Sequence, residues 1–171
     1  MDIKKLWKEW ILPLGLEVLG LYLFIKLVAF AVFVPSGSML PTIEVPSVLI
    51  ATRVYLPEKT VERGDIIAFE SDELDKILIK RCIGLPGEKI VLDKEGRLFI
   101  NDVYFEEPYV VYESEESGVW VVPDGCYFFL GDNRAGSYDA REWDEPFIPE
   151  DRIIGEARFT VYPFGNLGFL N

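Results

Sequence analysis

The stretch ILIKRCIGLPGEKIVLDKEGRLFINDVYF, residues 77–105, decides the fold class. It alternates short apolar runs with segments of glycine, proline, asparagine and aspartate, which is typical of β-strands joined by turns. The segment DKEG at 93–96 predicts a β-hairpin between the runs on either side of it, and ND at 101–102 predicts a second tight turn. The strands expected here are residues 77–83, 89–92, 98–100 and 103–105.

The remainder of the chain beyond residue 34 follows the same pattern. Eleven prolines and fourteen glycines favour many turns and short strands over a helical bundle. No internal repeat and no helical stripe occur in this part of the sequence, and residues 137–143 are compatible with a single helical turn. The fold class is therefore predicted to be mainly β, built from folded sheets. Further strands are expected at residues 48–53, 66–69, 127–130 and 153–162.

A long apolar stretch precedes these strands. Nineteen of the 24 residues at 11–34 are apolar, which is enough to span a bilayer as one helix, although Glu17 and Lys26 interrupt it. Three lysines in the first eight residues favour a cytoplasmic N-terminus by the positive-inside rule. We therefore expect a cytoplasmic N-terminus and transmembrane anchor at 1–34, and an extracytoplasmic β-rich domain at 35–171. A cleaved signal peptide and a helix lying on the membrane surface are the alternatives.

Charge and composition exclude several classes of function. The 171 residues carry 17 Lys+Arg against 29 Asp+Glu, a net charge of -12, which argues against nucleic acid as a partner. Histidine is absent, so the chain contains no Ser-His-Asp triad, Cys-His dyad or His-ligated metal site. Cys82 and Cys126 are too few for a four-thiolate zinc site. An extracytoplasmic location permits a disulfide between them, and two packed free thiols are the favoured alternative. Neither a metal nor a cofactor is expected.

Three segments contain the residues suited to catalysis. They are PSGSMLPT at 35–42, the strand at 77–83 with Lys80 in it, and GDNRAGSYDAR at 131–141. Taken singly, each has an ordinary explanation: a linker, an edge-strand lysine and a charged turn. Taken together they suggest a reaction, because a serine nucleophile without histidine needs another base. A lysine can serve when burial in apolar surroundings lowers its pKa.

These segments resemble the bacterial type I signal peptidases, which are membrane-anchored serine-lysine proteases. The resemblance covers most of the chain, including the N-terminal anchor and the blocks at 35–42, 63–69, 80–88 and 131–141. It implies a β-rich catalytic domain on the outer face of the plasma membrane, held by a single span. It also implies preproteins as substrates, with cleavage of their signal peptides after small residues, and membrane lipid as a further partner.

The resemblance also implies roles for individual residues. Ser38 matches the nucleophile and Lys80 matches the general base. Ser36 matches the hydroxyl that forms the oxyanion hole together with the N–H of Ser38, and Ser137 matches the serine that orients the lysine amine. Residues expected to support the site are Met39, Arg81, Asp132, Asp139 and Arg141.

This chain departs from the family pattern at a few positions. Ala135 and Gly136 stand where the family often has Asp-Asn, and Ala140 stands where it often has serine. These differences lie in the turn that positions Ser137, so they affect local geometry more than the type of reaction. The competing hypotheses are a conjugation-type membrane peptidase of the same superfamily, a self-cleaving repressor-type protease, and a catalytically inactive anchored module that binds peptides.

The C-terminal apolar residues allow two interpretations. Phe164, Leu167, Phe169 and Leu170 form too short a run to span a membrane. They are expected either to close the core or to contact the lipid surface.

Overall fold

The computed structural model describes residues 7–170. A single π-helical turn, Trp7–Ile11, leads into helix α1, Leu12–Leu27, and a short helix α2 follows at Pro57–Thr60. The strands in the described residues are β1 Ala29–Val34, β2 Ser47–Arg53, β3 Ile66–Ser71, β4 Lys76–Gly84, β5 Lys89–Leu92, β6 Leu98–Ile100, β7 Val103–Phe105, β8 Gly118–Val121, β9 Cys126–Leu130, β10 Phe147–Pro149, β11 Ile153–Tyr162 and β12 Gly168–Phe169. The prediction of a mainly β fold with one N-terminal apolar helix is confirmed.

The apolar stretch at 11–34 divides into a helix and a strand. Helix α1 ends at Leu27, and the residues that follow form β1, which pairs with β2 from Ala29↔Thr52 to Val34↔Ser47. The sequence AFAVFV contains two valines and two phenylalanines, and these residue types are enriched in strands. Regular β-structure in the described residues therefore begins at Ala29, inside the stretch that was expected to form the anchor.

Helix α1 and the turn before it expose their apolar surface on all sides. Residues Trp7–Leu27 form a continuous helix long and apolar enough to cross a membrane, and none of them is buried against the rest of the chain. An apolar helix without a polar face is typical of a segment surrounded by lipid. Its last turn is held to the β-rich part, because Arg53 Nε donates to the carbonyl oxygen of Lys26 at 2.7 Å and Tyr55 Oη donates to that of Leu27 at 2.6 Å.

Two antiparallel sheets build the β-rich part. The larger has the order β1-β2-β11-β3-β4-β9-β10, with β12 on β11, and the smaller has the order β7-β6-β5-β8. The predicted hairpin joins β5 to β6. The second predicted turn joins β6 to β7, where Asn101 and Asp102 have φ of 51° and 66°, as a tight hairpin turn requires. Residues 137–143 form turns without a helix, so the helical turn considered there was wrong.

Two buried clusters hold this arrangement together. The larger is rich in aromatic residues and includes the stacked rings of Phe69 and Phe129 at 4.5 Å. The smaller surrounds Met39, which is fully buried and follows Ser38 directly. Burial of Met39 therefore anchors the serine-containing loop to the body of the protein.

Two remaining expectations concern the cysteines and the C-terminus. Cys82 and Cys126 are free thiols, as expected. At the C-terminus, Leu170 packs against the smaller cluster, whereas Phe164 and Phe169 are 75% and 80% exposed. Leu170 therefore contributes to the core, and the two phenylalanines do not.

Candidate active site

Ser38 lies in a tight loop between β1 and β2. The loop contains one 3₁₀ turn, Gly37–Met39, directly after the β1 residues that pair with β2. Ser38 is half-buried and Ser36 is exposed. The strand before this loop and buried Met39 within it fix both ends of the turn that contains the serine.

Lys80 lies inside the large sheet, where β4 pairs with β3 through Ile67↔Lys80. It is only 3% exposed, and its Nζ donates a hydrogen bond to Ser137 Oγ at 2.9 Å. Burial lowers the pKa of Lys80 to about 8, because the charged ammonium loses its hydration. The carboxylates of Asp139 and Asp132 act in the opposite direction and limit this decrease.

Gly131 directly follows β9 and lets two loops approach one another. One is the loop between β1 and β2 that contains Ser38 (the serine loop), and the other is the loop after β9 that contains Ser137 (the Ser137 loop). A Cβ at position 131 would overlap Ser137 Oγ and lie 2.5 Å from the carbonyl oxygen of Ser38. Both groups therefore pack on the bare Cα of this glycine. Ser137 Oγ also accepts the hydrogen bond from the Lys80 amine. The main chain of Ser38 and the side chain of Lys80 therefore both lie close to Ser137 and Gly131.

Ser36, Ser38 and Lys80 line one cavity of about 350 Å³. One wall consists of the end of β1 and the serine loop, and the other consists of the first half of β4. Each wall contains a strand edge that is unpaired within the described sheets. In the first wall this is the outer edge of β1, which is the terminal strand of the large sheet. In the second wall it is the edge of β4 before Arg81, because β9 pairs with β4 only from Arg81 onward. Apolar side chains cover much of the cavity surface: Val32, Val34, Leu78 and Ile79.

A buried ion pair supports the opposite face of β4. Arg81 forms two hydrogen bonds with the carboxylate of Asp132, at 2.8 and 2.7 Å, and both residues are buried. The hydroxyl of Thr42 donates to the same carboxylate. This pair therefore links β4, the chain after β9 and the end of the serine loop, and it satisfies the charges that burial would otherwise penalise.

A second ion pair shapes the loop that contains Ser137. The buried carboxylate of Asp139 accepts hydrogen bonds from the N–H of Gly131 at 2.9 Å and from Arg141 Nε at 2.8 Å. Arg141 Nη2 also donates to the carbonyl oxygen of Ser137 at 3.2 Å. The structure thus brings together all the residues that the sequence suggested for this region, and the supporting residues contact the loops rather than the cavity.

Sequence reasoning did not single out Asn133 or Arg134. Arg134 pairs with Glu107 and donates to the carbonyl oxygen of Gly131 at 3.0 Å, while Asn133 contacts both Gly37 and Gly136. Their presence in the quoted block at 131–141 was the available signal. A role for a turn asparagine depends on which carbonyl groups surround it, and spacing along the chain does not reveal that.

Comparisons with known proteins agree with this geometry. The family described as signal peptidase, peptidase S26, matches residues 7–162. Signal peptidase I of Leptolyngbya laminosa is 37% identical over 91% of this chain and 82% of its own length. Signal peptidase I U of Bacillus subtilis is 36% identical over 88% of this chain and 85% of its own length. A crystal structure of a signal peptidase I from Enterococcus faecalis matches with a TM-score of 0.51 and 31% identity, covering 57% of this chain and 96% of that one.

The fold is that of a β-rich peptidase, with an apolar helix of membrane-spanning length at its N-terminus. The chain belongs to the signal peptidase family, peptidase S26. Its function is that of a signal peptidase I, which is a serine endopeptidase. None of the matches favours the conjugation-type peptidase or the inactive peptide-binding module.

Proposed function

We propose that this chain removes signal peptides from exported preproteins by acyl transfer, with Ser38 as nucleophile and Lys80 as general base. The observation that supports this most directly is the Lys80 amine, which is buried, bonded to Ser137 and part of the cavity that Ser38 lines. An ordinary lysine, with a pKa of about 10.4, is uncharged in about one molecule in a few thousand at pH 7. With the pKa lowered to about 8, about one molecule in ten is ready to act as a base.

The proposed reaction begins with proton transfer from the Ser38 hydroxyl to the neutral amine. A neutral amine has one lone pair and two N–H groups, and one N–H of Lys80 is occupied by Ser137. The lone pair is then free to face Ser38, whose oxygen attacks the scissile carbonyl. The Ser38 N–H and the Ser36 hydroxyl stabilise the oxyanion. The Lys80 ammonium protonates the leaving amine, and water hydrolyses the acyl-enzyme and releases the signal peptide.

We propose that the substrate binds as an extended segment between β1 and the first half of β4. Each of these edges offers backbone N–H and C=O groups to an added strand, which is a common way to recognise an extended peptide. Val32, Val34, Leu78 and Ile79 leave apolar space of limited size between the edges. This surface fits small side chains next to the scissile bond, in line with the preference implied by the family.

The proposed location is the plasma membrane, with α1 as a single span and the part beginning at Ala29 on the outer side. The apolar surface of α1 and the three lysines near the N-terminus support this orientation. The bonds from Arg53 and Tyr55 to the end of α1 keep the catalytic part next to the membrane. Preproteins emerging from the bilayer are then its substrates, and lipid is its second partner.

Cleavage of a purified preprotein in detergent tests the two catalytic roles. Ser38→Ala and Lys80→Ala should each abolish cleavage, since one loses the nucleophile and the other loses the base. Ser114→Ala and Lys59→Ala are matched controls outside the cavity, and they should cleave at the wild-type rate. Circular dichroism checks that all four variants fold. Cleavage by a folded Ser38 or Lys80 variant would contradict the proposal.

A further inference from the structure

Asn133 connects the serine loop to the loop that contains Ser137. Its side-chain Nδ2 donates to the carbonyl oxygen of Gly37 at 3.0 Å, and its Oδ1 accepts from the N–H of Gly136 at 3.0 Å. Its own backbone N–H donates to the carbonyl oxygen of Ser38 at 3.1 Å. One half-buried residue thus contacts two successive carbonyl groups of the turn that contains the proposed nucleophile.

We propose that Asn133 is a positioning residue that sets the direction of the oxyanion-hole N–H of Ser38. The inference rests on the proposed roles of Ser38 and Lys80 and assigns a further residue to the same reaction. Asn133 does not line the cavity, so it acts through the main chain of the serine loop.

The hydrogen-bond network fixes the orientation of the Asn133 amide. The Gly136 N–H is a donor shared between the Asn133 amide oxygen and the Asn133 backbone carbonyl oxygen at 3.1 Å, so it can face only the oxygen of the amide. The Gly37 carbonyl is an acceptor and can face only the amide nitrogen. Each partner therefore excludes the flipped amide. Both contacts together therefore require that Asn133 Nδ2 is the atom that donates to the Gly37 carbonyl.

The peptide between Gly37 and Ser38 transmits this contact. It is trans and planar, so its C=O and N–H point in opposite directions. A hydrogen bond that holds the Gly37 oxygen on one side consequently fixes where the Ser38 N–H points on the other side. Gly37 O also accepts from the N–H of Leu40 at 3.2 Å, so two donors hold the same oxygen. Donation to this carbonyl also polarises the peptide and makes the Ser38 N–H a stronger donor.

The backbone contact explains why the side chain can be changed without losing the loop. The bond from the Asn133 N–H to the Ser38 carbonyl belongs to the main chain and survives substitution of the side chain. Buried Met39 continues to anchor the turn from within the smaller core cluster. Substitution should therefore tilt one peptide plane rather than unfold the segment.

Two variants separate the two ends of the side chain. Asn133→Asp keeps an oxygen for the Gly136 N–H but places an acceptor against the Gly37 carbonyl, which repels it. Asn133→Ala removes both contacts and adds no charge. Asn101→Asp is the matched control, because Asn101 also holds a backbone N–H through its Oδ1, at Lys89 in the distant small sheet.

The experiment measures kcat and KM for a signal-peptide substrate with the full chain in detergent, with melting temperature as the check on folding. Loss of a complete oxyanion donor costs about 10²–10³ in rate, and we expect tilting one to lower kcat by about tenfold or more. Both Asn133 variants should show this loss with KM unchanged, because the oxyanion exists only after the substrate has bound. The pH midpoint of kcat/KM should stay in place in Asn133→Ala, since Lys80 keeps its surroundings. Asn101→Asp should match the wild type.

Wild-type kcat in Asn133→Asp would overturn the inference, as would a moved pH midpoint in Asn133→Ala. The latter would show that Asn133 acts on the base through the Gly136 contact instead. A decrease in melting temperature with kcat preserved would likewise show a structural role only. Failure of the proposed function gives a different result in the same assay, namely an inactive wild type or an active Ser38→Ala.

Discussion

At the scale of single residues, Lys80 has the property on which the proposed chemistry depends. Its folded pKa of about 8 lies below the ordinary value of about 10.4, so the unfolded chain binds more protons between these values. Lys80 should therefore contribute increasing stability as the pH rises from about 8 to about 10, and burial of its ammonium carries a cost below that range. The buried Cys82 thiol, whose pKa is raised by burial, acts in the opposite direction near the upper end of this range. The same shift predicts that activity falls as the pH decreases below about 8, because the base becomes protonated.

Sequence alone suggested the type of residue at each proposed catalytic position but not its surroundings. A lysine within an apolar strand was by itself equally typical of a sheet edge, and it was the absence of histidine together with the serine-containing segments that made a buried amine base plausible. Assignment of Ser38, Ser36 and Ser137 to separate roles came from the resemblance to a family. The contact between Lys80 and Ser137 joins residues 57 positions apart, and no local pattern predicts such a contact.

At the scale of elements, the glycine directly after β9 permits the contact between the serine loop and the Ser137 loop. Ser38 and Ser137 both pack against Gly131, and a side chain there would push them apart. The short strands of the hairpins were predictable because turn residues bounded each apolar run. Strand β1 could not be predicted in this way, because its residues continue the apolar stretch of α1 without a turn signal. Strands β8 and β10 are short and become regular through pairing with strands about 20 residues or more away in sequence, and β12 is only two residues long, paired with the end of β11.

Gly131→Ala tests this arrangement. We expect at least a tenfold loss of kcat, because the added methyl group displaces Ser137 or the main chain of Ser38 from the geometry that proton transfer requires. Gly165→Ala is the matched control, since a Cβ there has open space around it and its activity should be unchanged. Preprotein cleavage per folded molecule is the measurement. Wild-type activity in Gly131→Ala would show that the two loops do not need this close approach.

At the scale of the whole molecule, the chain combines an exposed apolar helix with an acidic β-rich part. The residues from Ala29 onward hold 13 Lys+Arg against 26 Asp+Glu, a net charge of -13, which favours contact with water. The end of α1 is bonded to β2 and to the residues just after it. The length and low charge of the apolar stretch predicted a helix of membrane type. Only the structure shows that this helix ends at Leu27. The cavity lies at the far end of β1 from α1, next to Val34, so the length of one strand separates Ser38, the proposed nucleophile, from the proposed bilayer surface.

Labelling with a membrane-impermeant maleimide tests the proposed orientation. Lys94 lies in the exposed turn between β5 and β6, and Lys8 lies before α1. In right-side-out vesicles, Lys94→Cys should react at once and Lys8→Cys should react only after lysis, because α1 separates them across the bilayer. Both changes are made together with Cys126→Ser, because the partly exposed thiol of Cys126 could react with the maleimide. Cys82 can stay, because it is fully buried. Labelling of Lys8→Cys without lysis would contradict the orientation.

Titration of the Lys80 amine by NMR, on chain labelled with ¹⁵N-lysine and assigned with Lys80→Met, tests directly whether a neutral lysine is the base. We expect one lysine with a pKa of about 8 and a kcat/KM profile with the same midpoint. Glu156→Gln is the necessary control for the profile, because burial raises the pKa of Glu156 to about 7, within the same range. The midpoint should persist in that variant. A Lys80 amine that titrates near 10.4, with cleavage still occurring at neutral pH, would contradict a neutral lysine as the base.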